Sequence, residues 1–186
     1  MLESEAWERN EGGMPRLYSG WRLAHPRGLA SDGQPHPYVE AEPGKTLFET
    51  IEQSDLPDEE TYIIHRGPNV YVVLNVYPYT SGHVLVIPNK GVESVHDLSD
   101  EIYTELWATV RTAAAAVKAA FYPHGLNIGV NEGLAGGGSQ PDHLHVHIVP
   151  RWRADTNFMT SVAEVRILPQ TLSQSYERLR RKWPVD

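Results

Sequence analysis

The 186-residue chain contains no cysteine, which excludes disulfide bonds, a thiolate nucleophile and any zinc site built on cysteine. No apolar run approaches the roughly 20 residues that span a bilayer, and the acidic beginning of the chain shows no signal-peptide pattern. Basic residues are outnumbered, because 16 Lys and Arg face 24 Asp and Glu and give a formal net charge of −8. That balance argues against broad binding to duplex nucleic acid, although backbone N–H groups can still hold a small anion. These absences predict a cytoplasmic protein that binds neither membrane nor nucleic acid.

Length and composition predict one folded domain with an N-terminal extension. Hydrophobic residues make up 40% of the chain and include five tryptophans, which indicates a packed globule. Residues 1–45 are rich in Gly, Pro, Arg and Glu and show no sustained periodicity, so they are predicted to form a partly irregular arm. Residues 46–186 are predicted to form the domain and its C-terminal helical extension. One apolar patch of the arm is expected to dock on the domain or on a partner subunit, and it consists of Leu17, Tyr18, Trp21 and Leu23.

Strand and helix patterns follow one another in an order typical of an α+β fold. Apolar residues between Ile102 and Phe121 recur at steps of three and four, which predicts an amphipathic helix capped by Ser99 or Asp97 and ended by Pro123 with Gly125. A second amphipathic helix is predicted from Leu172 to Trp183. The resulting order, β-β-β-α-β-β, predicts a five-stranded, mainly antiparallel sheet with a packed helix and a C-terminal helix. The predicted strands are 61–64, 70–76, 83–87, 126–130 and the segment that begins at His143.

Histidines alternate with aliphatic residues in that last segment. Successive side chains of a β-strand point to opposite faces, so His143, His145 and His147 are predicted to share one face at spacings of about 7 Å. The residues between them are predicted to fill the core on the other face. Apolar packing does not require a row of imidazoles, so the pattern indicates a functional site.

Three interpretations of the row remain open at this point. Imidazoles on alternate strand positions can share a metal ion, with Asp142 and Glu132 as the nearby carboxylates. The histidines can also be merely exposed on a sheet face. The third interpretation is nucleophilic catalysis on phosphorus, in which a neutral ring nitrogen attacks a phosphoryl group while the second nitrogen is held as a donor. His145, which has a histidine on either side, is the predicted nucleophile.

A glycine-rich loop precedes the row and supports the third interpretation. It runs from Asn131 through Gly133 to the segment 136–139, and it ends four residues before the first histidine. Glycines allow a ligand to approach the backbone closely, and successive N–H groups can point at one anion. Phosphoryl transfer needs such donors on the non-bridging oxygens. Donors and imidazoles are therefore expected to meet at one point.

Three separate motifs resemble those of the histidine triad (HIT) family. Residues 143–149, His-Leu-His-Val-His-Ile-Val, resemble its His-φ-His-φ-His-φ-φ signature, in which φ is a hydrophobic residue. Residues 74–88 resemble its strand-turn-strand unit, and residues 127–133 resemble its nucleotide-holding Asn-x-Gly-x-Asn-x-Gly segment. The likeness covers roughly residues 46–153 and implies a HIT-like fold assembled as a homodimer or a higher homo-oligomer.

The resemblance implies a role for each matching residue. His145 corresponds to the nucleophile that becomes nucleotidylated, His147 to a residue that contacts the phosphates, and His143 and His83 to supporting histidines. Asn75 matches a residue near the ribose, and Asn131 with Gly138 and Ser139 matches the phosphate-contacting loop. The implied nucleotide- and phosphate-binding residues are Asn75, Asn127, Asn131, Gly133, Gly137, Gly138 and Ser139.

Two departures from the family pattern indicate a subgroup. Many members carry Gln where this chain has Ser139, and many bacterial members bind zinc through a Cys-x-x-Cys pair that is replaced here by residues 46–49. Together with residues 149–159, these features resemble the bacterial diadenosine tetraphosphate phosphorylases. The expected reaction is phosphorolysis of diadenosine tetraphosphate to ADP and ATP through a nucleotidyl-histidine intermediate, with inorganic phosphate as acceptor. Two alternatives remain, namely a hydrolase that releases AMP from dinucleoside polyphosphates or adenylyl-amines, and a non-catalytic nucleotide-binding protein.

The sequence predicts no cofactor for this reaction. No dedicated protein site for a metal is visible in the pattern of His, Asp and Glu residues. A divalent ion that enters with the substrate is compatible with the sequence, because it would neutralise phosphate charge.

Overall fold

The computed structural model describes residues 41–137, 140–155 and 169–184. The described residues form one antiparallel sheet with helices on both faces. In chain order the elements are α1 (Leu47–Glu52), α2 (Asp58–Thr61), β1 (Ile63–Arg66), β2 (Val70–Leu74), β3 (Val84–Pro88), a 3₁₀ turn (Val95–Asp97), α3 (Asp100–Phe121), β4 (Gly125–Val130), β5 (Val146–Arg151) and α4 (Leu172–Arg180).

The strands lie in the order β1-β2-β3-β5-β4, and each neighbouring pair is antiparallel. The α+β prediction with a five-stranded sheet is therefore confirmed. Strand β5 lies between β3 and β4, so the histidine segment is inside the sheet. His147 is paired with Leu85 on β3 and with Gly129 on β4.

The larger hydrophobic layer lies between the sheet and α3. Helix α3 buries Leu106, Val110 and Val117 from the stripe that the sequence predicted, and each contributes roughly 1.5–3 kcal/mol to stability. Ser99 caps the helix, because its hydroxyl accepts the N–H of Ile102. Helix α4 adds the buried Leu179 to the same layer, which confirms the predicted C-terminal helix.

The opposite face of the sheet carries a smaller hydrophobic layer beneath α1. Phe48 of α1 packs there with Tyr71 and Leu85, among other residues. The buried phenol of Tyr71 donates a hydrogen bond of 2.9 Å to the carbonyl of Phe48 and so fixes α1 to the sheet. Because Leu85 and His147 are direct partners on neighbouring strands, their side chains lie on this same face. The histidines therefore share a face with α1.

Gly82 permits close packing just before His83, the residue that precedes β3. Its φ of +83° lies in the left-handed region, and a Cβ there would come within 2.6 Å of the Phe121 ring. Only glycine avoids both the backbone strain and this clash. The end of α3 can therefore lie directly against the residue before His83.

Several element boundaries differ from the prediction. β5 begins at Val146 and not at His143, because the backbone N–H of Leu144 donates to the carbonyl of Val92 and not to the sheet. The first strand was predicted at 61–64, but Thr61 ends the short helix α2, and the strand runs from Ile63 to Arg66.

The remaining boundaries moved by one to three residues. β2 ends at Leu74, before the predicted end at residue 76, and β3 begins at Val84. Helix α3 ends at Phe121 with Tyr122 in the left-handed conformation, whereas Gly125 is the first residue of β4 and not a helix stop. α1 and α2 were not predicted, because six and four residues are too few to establish a helical period.

Residues 1–40, including the predicted apolar patch of the arm, lie outside the described residues. The division into an arm and a domain at residue 46 therefore stays a prediction. Of the helices in the described ranges, none combines the length and the apolar character that crossing a membrane requires.

Candidate active site

The three histidines of the signature and His83 form one buried cluster. The exposed fraction is 0% for His83, 1% for His143, 5% for His145 and 8% for His147. The ring centroids of His145 and His147 are 4.8 Å apart, and those of His83 and His147 are 5.2 Å apart. The interpretation of the row as exposed surface histidines is therefore wrong.

His143 has both ring nitrogens engaged with protein groups. Nε2 lies 2.8 Å from the carbonyl of Pro88, and since a carbonyl only accepts, Nε2 carries the proton. The other nitrogen, Nδ1, is then the acceptor and receives the hydroxyl proton of Thr46 at 2.6 Å. A ring held at both ends matches the supporting role that the resemblance implied.

His145 has one nitrogen held as a donor and the other left with its lone pair. Nδ1 lies 2.8 Å from the backbone carbonyl of His143, so Nδ1 carries the proton and donates it there. The neutral ring then has its lone pair on Nε2, as a nucleophile requires. The Phe48 ring packs against the imidazole at 5.1 Å between centroids and limits its rotation.

The backbone N–H of Tyr79 determines which ring nitrogens of His83 and His147 carry the protons. The N–H of Tyr79 donates to Nδ1 of His83 at 3.1 Å, so the proton of that ring is on Nε2. Nε2 of His83 in turn donates to Nδ1 of His147 at 3.0 Å. The proton of the neutral His147 ring is therefore on Nε2, where it can be donated to a ligand.

The start of the glycine-rich loop reaches this cluster. The amide nitrogen of Asn131 lies 3.4 Å from Nε2 of His147, so the loop begins beside this ring. The next residue, Glu132, anchors the loop by accepting the hydroxyl of Ser94 and the N–H of Val95. These two hydrogen bonds hold the pKa of the Glu132 carboxyl below its usual value.

Further along this loop, Gly133 and Gly137 both adopt positive φ, of +65° and +88°. Neither would bring a Cβ within 4 Å of another group, so both positions are open. Gly138 and Ser139 lie outside the described residues. The assignment of this loop to phosphate binding stays a prediction.

The other two predicted asparagines differ in their contacts. The amide nitrogen of Asn75 lies 3.3 Å from Nδ1 of His83, so Asn75 adjoins the histidine cluster. Asn127 on β4 instead accepts a hydrogen bond of 2.8 Å from the guanidinium of Arg151. The Arg151 side chain also forms an ion pair with Asp155, and this pair lies at the end of β5.

Burial lowers the pKa of His143 and His145 below the usual value of 6.5. For His145 the hydrogen bond to the backbone carbonyl of His143 opposes this effect without reversing it. For His143 the opposing influences are the hydrogen bond to Pro88 and the charges of Glu49 and Asp142. Both rings are therefore neutral at pH 7, as nucleophilic attack by His145 requires.

This pKa shift predicts how activity and stability depend on pH. Protonation of Nε2 removes the lone pair, so the rate of His145 modification should be constant above about pH 6.5 and fall at lower pH. Stability should fall over the same range, because the unfolded chain, with its higher histidine pKa, binds more protons there than the folded one. Rates and urea midpoints measured in parallel from about pH 5 to about pH 8 test both. A rate that already declines between about pH 8 and about pH 7 would contradict the expectation.

The polar side chains of the segment 46–49 are engaged with other protein groups. The Glu49 carboxylate accepts the N–H groups of Thr46 and Gly91 at 2.8 and 3.1 Å, and Thr46 binds His143. Within the described ranges, no group of three or more His, Asp and Glu side chains is placed to hold a metal ion. The residues present do not fit the cysteine-based zinc site of many HIT members.

Sequence reasoning missed Thr46 and Phe48, which both contact the cluster from α1. The pattern Thr46-x-x-Glu49 is the signature of a helix capping box and would have located the start of α1. No pattern would have shown that the cap reaches His143, which is 97 residues away in the chain.

Comparisons with known proteins agree with this geometry. The family model of the HIT domain matches residues 57–154. An AP-4-A phosphorylase of Mycobacterium tuberculosis is 43% identical over 128 residues, covering 69% of this chain and 66% of that protein. A bis(5'-nucleosyl)-tetraphosphatase (asymmetrical) of Schizosaccharomyces pombe is 39% identical over 93 residues, which is half of each chain. The chain thus spans slightly less than two thirds of the first relative and half of the second.

Among solved structures, a zinc-bound histidine triad family protein from Mycobacterium smegmatis has the same fold. The TM-score is 0.60 at 28% identity, and the match covers 74% of this chain and 92% of that one.

Proposed function

The chain belongs to the HIT family, and we propose that it is an enzyme that transfers an adenylyl group from diadenosine tetraphosphate through His145. The observation that carries the proposal is the hydrogen bond from Nδ1 of His145 to the carbonyl of His143. It leaves a neutral nitrogen with a lone pair beside His147, and the hydrogen bond from His83 to Nδ1 of His147 places the proton of that ring on Nε2. Nucleophile and proton donor then adjoin each other, which is the arrangement that nucleotidyl transfer requires.

In the first proposed step, Nε2 of His145 attacks the α-phosphorus. A nitrogen–phosphorus bond forms, and the bond between that phosphorus and the oxygen bridging to the β-phosphate breaks. ATP leaves with the electron pair, and the Nε2 proton of His147 stabilises the departing oxygen. Asn131 and the glycine-rich loop are proposed to hold the non-bridging oxygens.

In the second proposed step, an oxygen of inorganic phosphate attacks the same phosphorus. The nitrogen–phosphorus bond breaks, the imidazole recovers its lone pair, and ADP is released. The sum is diadenosine tetraphosphate plus phosphate giving ADP plus ATP. The 43% identical relative named AP-4-A phosphorylase supports phosphate as the acceptor. Ser139 is proposed to donate to that phosphate.

Hydrolysis is the second candidate, supported by the relative named bis(5'-nucleosyl)-tetraphosphatase. Water would replace phosphate in the second step, and the products would be AMP and ATP. The same nucleophile would act on adenylyl-amines. A protein that binds nucleotides without turnover would need none of this chemistry.

One assay distinguishes these functions. Purified protein is incubated with diadenosine tetraphosphate, with and without inorganic phosphate, and the nucleotides are resolved by anion-exchange chromatography. ADP that appears only with phosphate is the expected result. AMP formed irrespective of phosphate would establish the hydrolase, and the absence of any product would contradict both enzymes.

We propose that the protein acts in the cytoplasm as a homodimer. β4 is an outer strand of the described sheet, and Ile128 in its middle is 45% exposed. A second copy of the chain could therefore pair with the edge of β4 and pack against this apolar residue. Sedimentation equilibrium measures the assembly directly. A mass of one chain at all concentrations would exclude it.

A further inference from the structure

We propose that Thr46 is a positioning residue that holds the His143 ring in the tautomer set by Pro88 and, through this ring, orients the nucleophile His145. The inference rests on the proposed function for its effect on turnover. It depends on contacts of α1 that the motifs of the sequence did not reveal.

The cap of α1 directs the hydroxyl proton of Thr46. Its Oγ accepts the N–H of Glu49 at 3.1 Å, and its backbone N–H donates to the Glu49 carboxylate at 2.8 Å. This reciprocal capping box holds the side chain in one orientation. The hydroxyl proton then points at Nδ1 of His143, which is 2.6 Å from Oγ.

Helix α1 itself is fixed to the sheet, so the hydroxyl cannot follow a moving ring. Glu49 accepts the N–H of Gly91 at 3.1 Å, and the Tyr71 phenol donates to the carbonyl of Phe48 at 2.9 Å. The Phe48 ring also packs edge-on against His143, with 5.5 Å between centroids. Thr46 is therefore part of a rigid support.

The support acts on His145 through the backbone of His143. With Pro88 accepting at Nε2 and Thr46 donating at Nδ1, the His143 ring has one protonation state and one orientation. Its carbonyl is thereby held 2.8 Å from Nδ1 of His145. Glu49 and Asp142 both face His143 and favour its protonation, whereas burial and His145 oppose it. A donor at Nδ1 adds to the forces that keep the ring neutral.

The structure provides a matched control for this test. Thr171 caps α4 with the same capping box, in which its Oγ accepts the N–H of Gln174 at 3.2 Å. Helix α4 packs on α3 and β1, on the face of the sheet away from the histidines. Thr171→Val therefore removes an equivalent helix cap without removing a partner of His143.

The experiment compares Thr46→Val, Thr46→Ser and Thr171→Val in the full chain. Turnover of diadenosine tetraphosphate gives kcat and KM, and ¹⁵N NMR of the imidazole nitrogens gives the tautomers of His143 and His145. Urea unfolding shows that each variant is folded. Thr46→Ala serves as the second variant in case valine prevents folding.

Thr46→Val is expected to lower kcat about tenfold, the rate equivalent of one hydrogen bond, with KM changed less than about twofold. The Nδ1 resonance of His143 should shift, Thr46→Ser should restore both readouts, and Thr171→Val should lower stability alone. An unchanged Nδ1 resonance of His143 in Thr46→Val, or an equal loss of kcat in Thr171→Val, would overturn the proposal. The NMR readout needs no turnover, so a shift of the Nδ1 resonance in a protein that cleaves no nucleotide would uphold the positioning role and reject the proposed function.

Discussion

Replacing His145 by alanine is expected to reduce turnover of diadenosine tetraphosphate by on the order of 10⁶-fold, the scale seen when an enzyme loses its nucleophile. No neighbouring imidazole can take its place. Both nitrogens of His143 bind protein groups, Nδ1 of His83 accepts from Tyr79, and Nε2 of His147 carries a proton. Binding of the nucleotide should change much less, because the loop that is proposed to bind phosphate is untouched.

The measurement pairs turnover with the detection of the covalent intermediate. Protein mixed with radiolabelled substrate in the absence of phosphate is quenched with alkali and digested, and the labelled peptide is identified by mass spectrometry. The label should be on the peptide that contains His145. His124→Ala is the control, because His124 is an exposed histidine whose ring accepts the N–H of Arg153, away from the cluster. Turnover that survives in His145→Ala would exclude the proposed mechanism.

The sequence predicted the parts of the fold that depend on local periodicity. Apolar residues at spacings of three and four form one stripe of α3, and this stripe packs on the sheet whichever strands lie beneath it. Ser99 marks the start of the helix. The alternation of histidines similarly placed His145 and His147 on one side. The predicted start of β5 was wrong because a strand begins where its backbone first bonds to a neighbouring strand. The N–H of Leu144 donates to the Val92 carbonyl and not to a residue of β3.

The histidine residues of the candidate site were predictable, and the groups that orient them were not. His143, His145, His147 and His83 carry a recognisable pattern and do form one cluster. The groups that set their protons are the carbonyls of Pro88 and His143 and the N–H of Tyr79, and every residue has such groups. Only the three-dimensional structure shows which of them face an imidazole.

Replacement of His147 by phenylalanine tests the proton donor that the Tyr79–His83–His147 chain creates. Phenylalanine keeps a planar ring in this buried position and removes the Nε2 proton. Turnover should fall by on the order of 10²–10⁴-fold, the usual contribution of a positioned proton donor. The loss should be larger for adenosine 5'-phosphoramidate than for diadenosine tetraphosphate, because a departing amine needs a proton more than the weakly basic phosphate of ATP does.

The two substrates separate proton donation from positioning. His147→Phe and His147→Gln are compared under conditions in which both variants are fully folded. Single-turnover rates of His145 modification are measured with both substrates. Glutamine can present an amide N–H near the former position of Nε2, so it should recover the diadenosine tetraphosphate reaction more than the phosphoramidate reaction, since an amide stabilises charge without releasing a proton. An identical loss with both substrates in both variants would mean that His147 holds the phosphates without donating a proton. The direction of the hydrogen bonds from the Tyr79 N–H through His83 to His147 would then have no catalytic consequence.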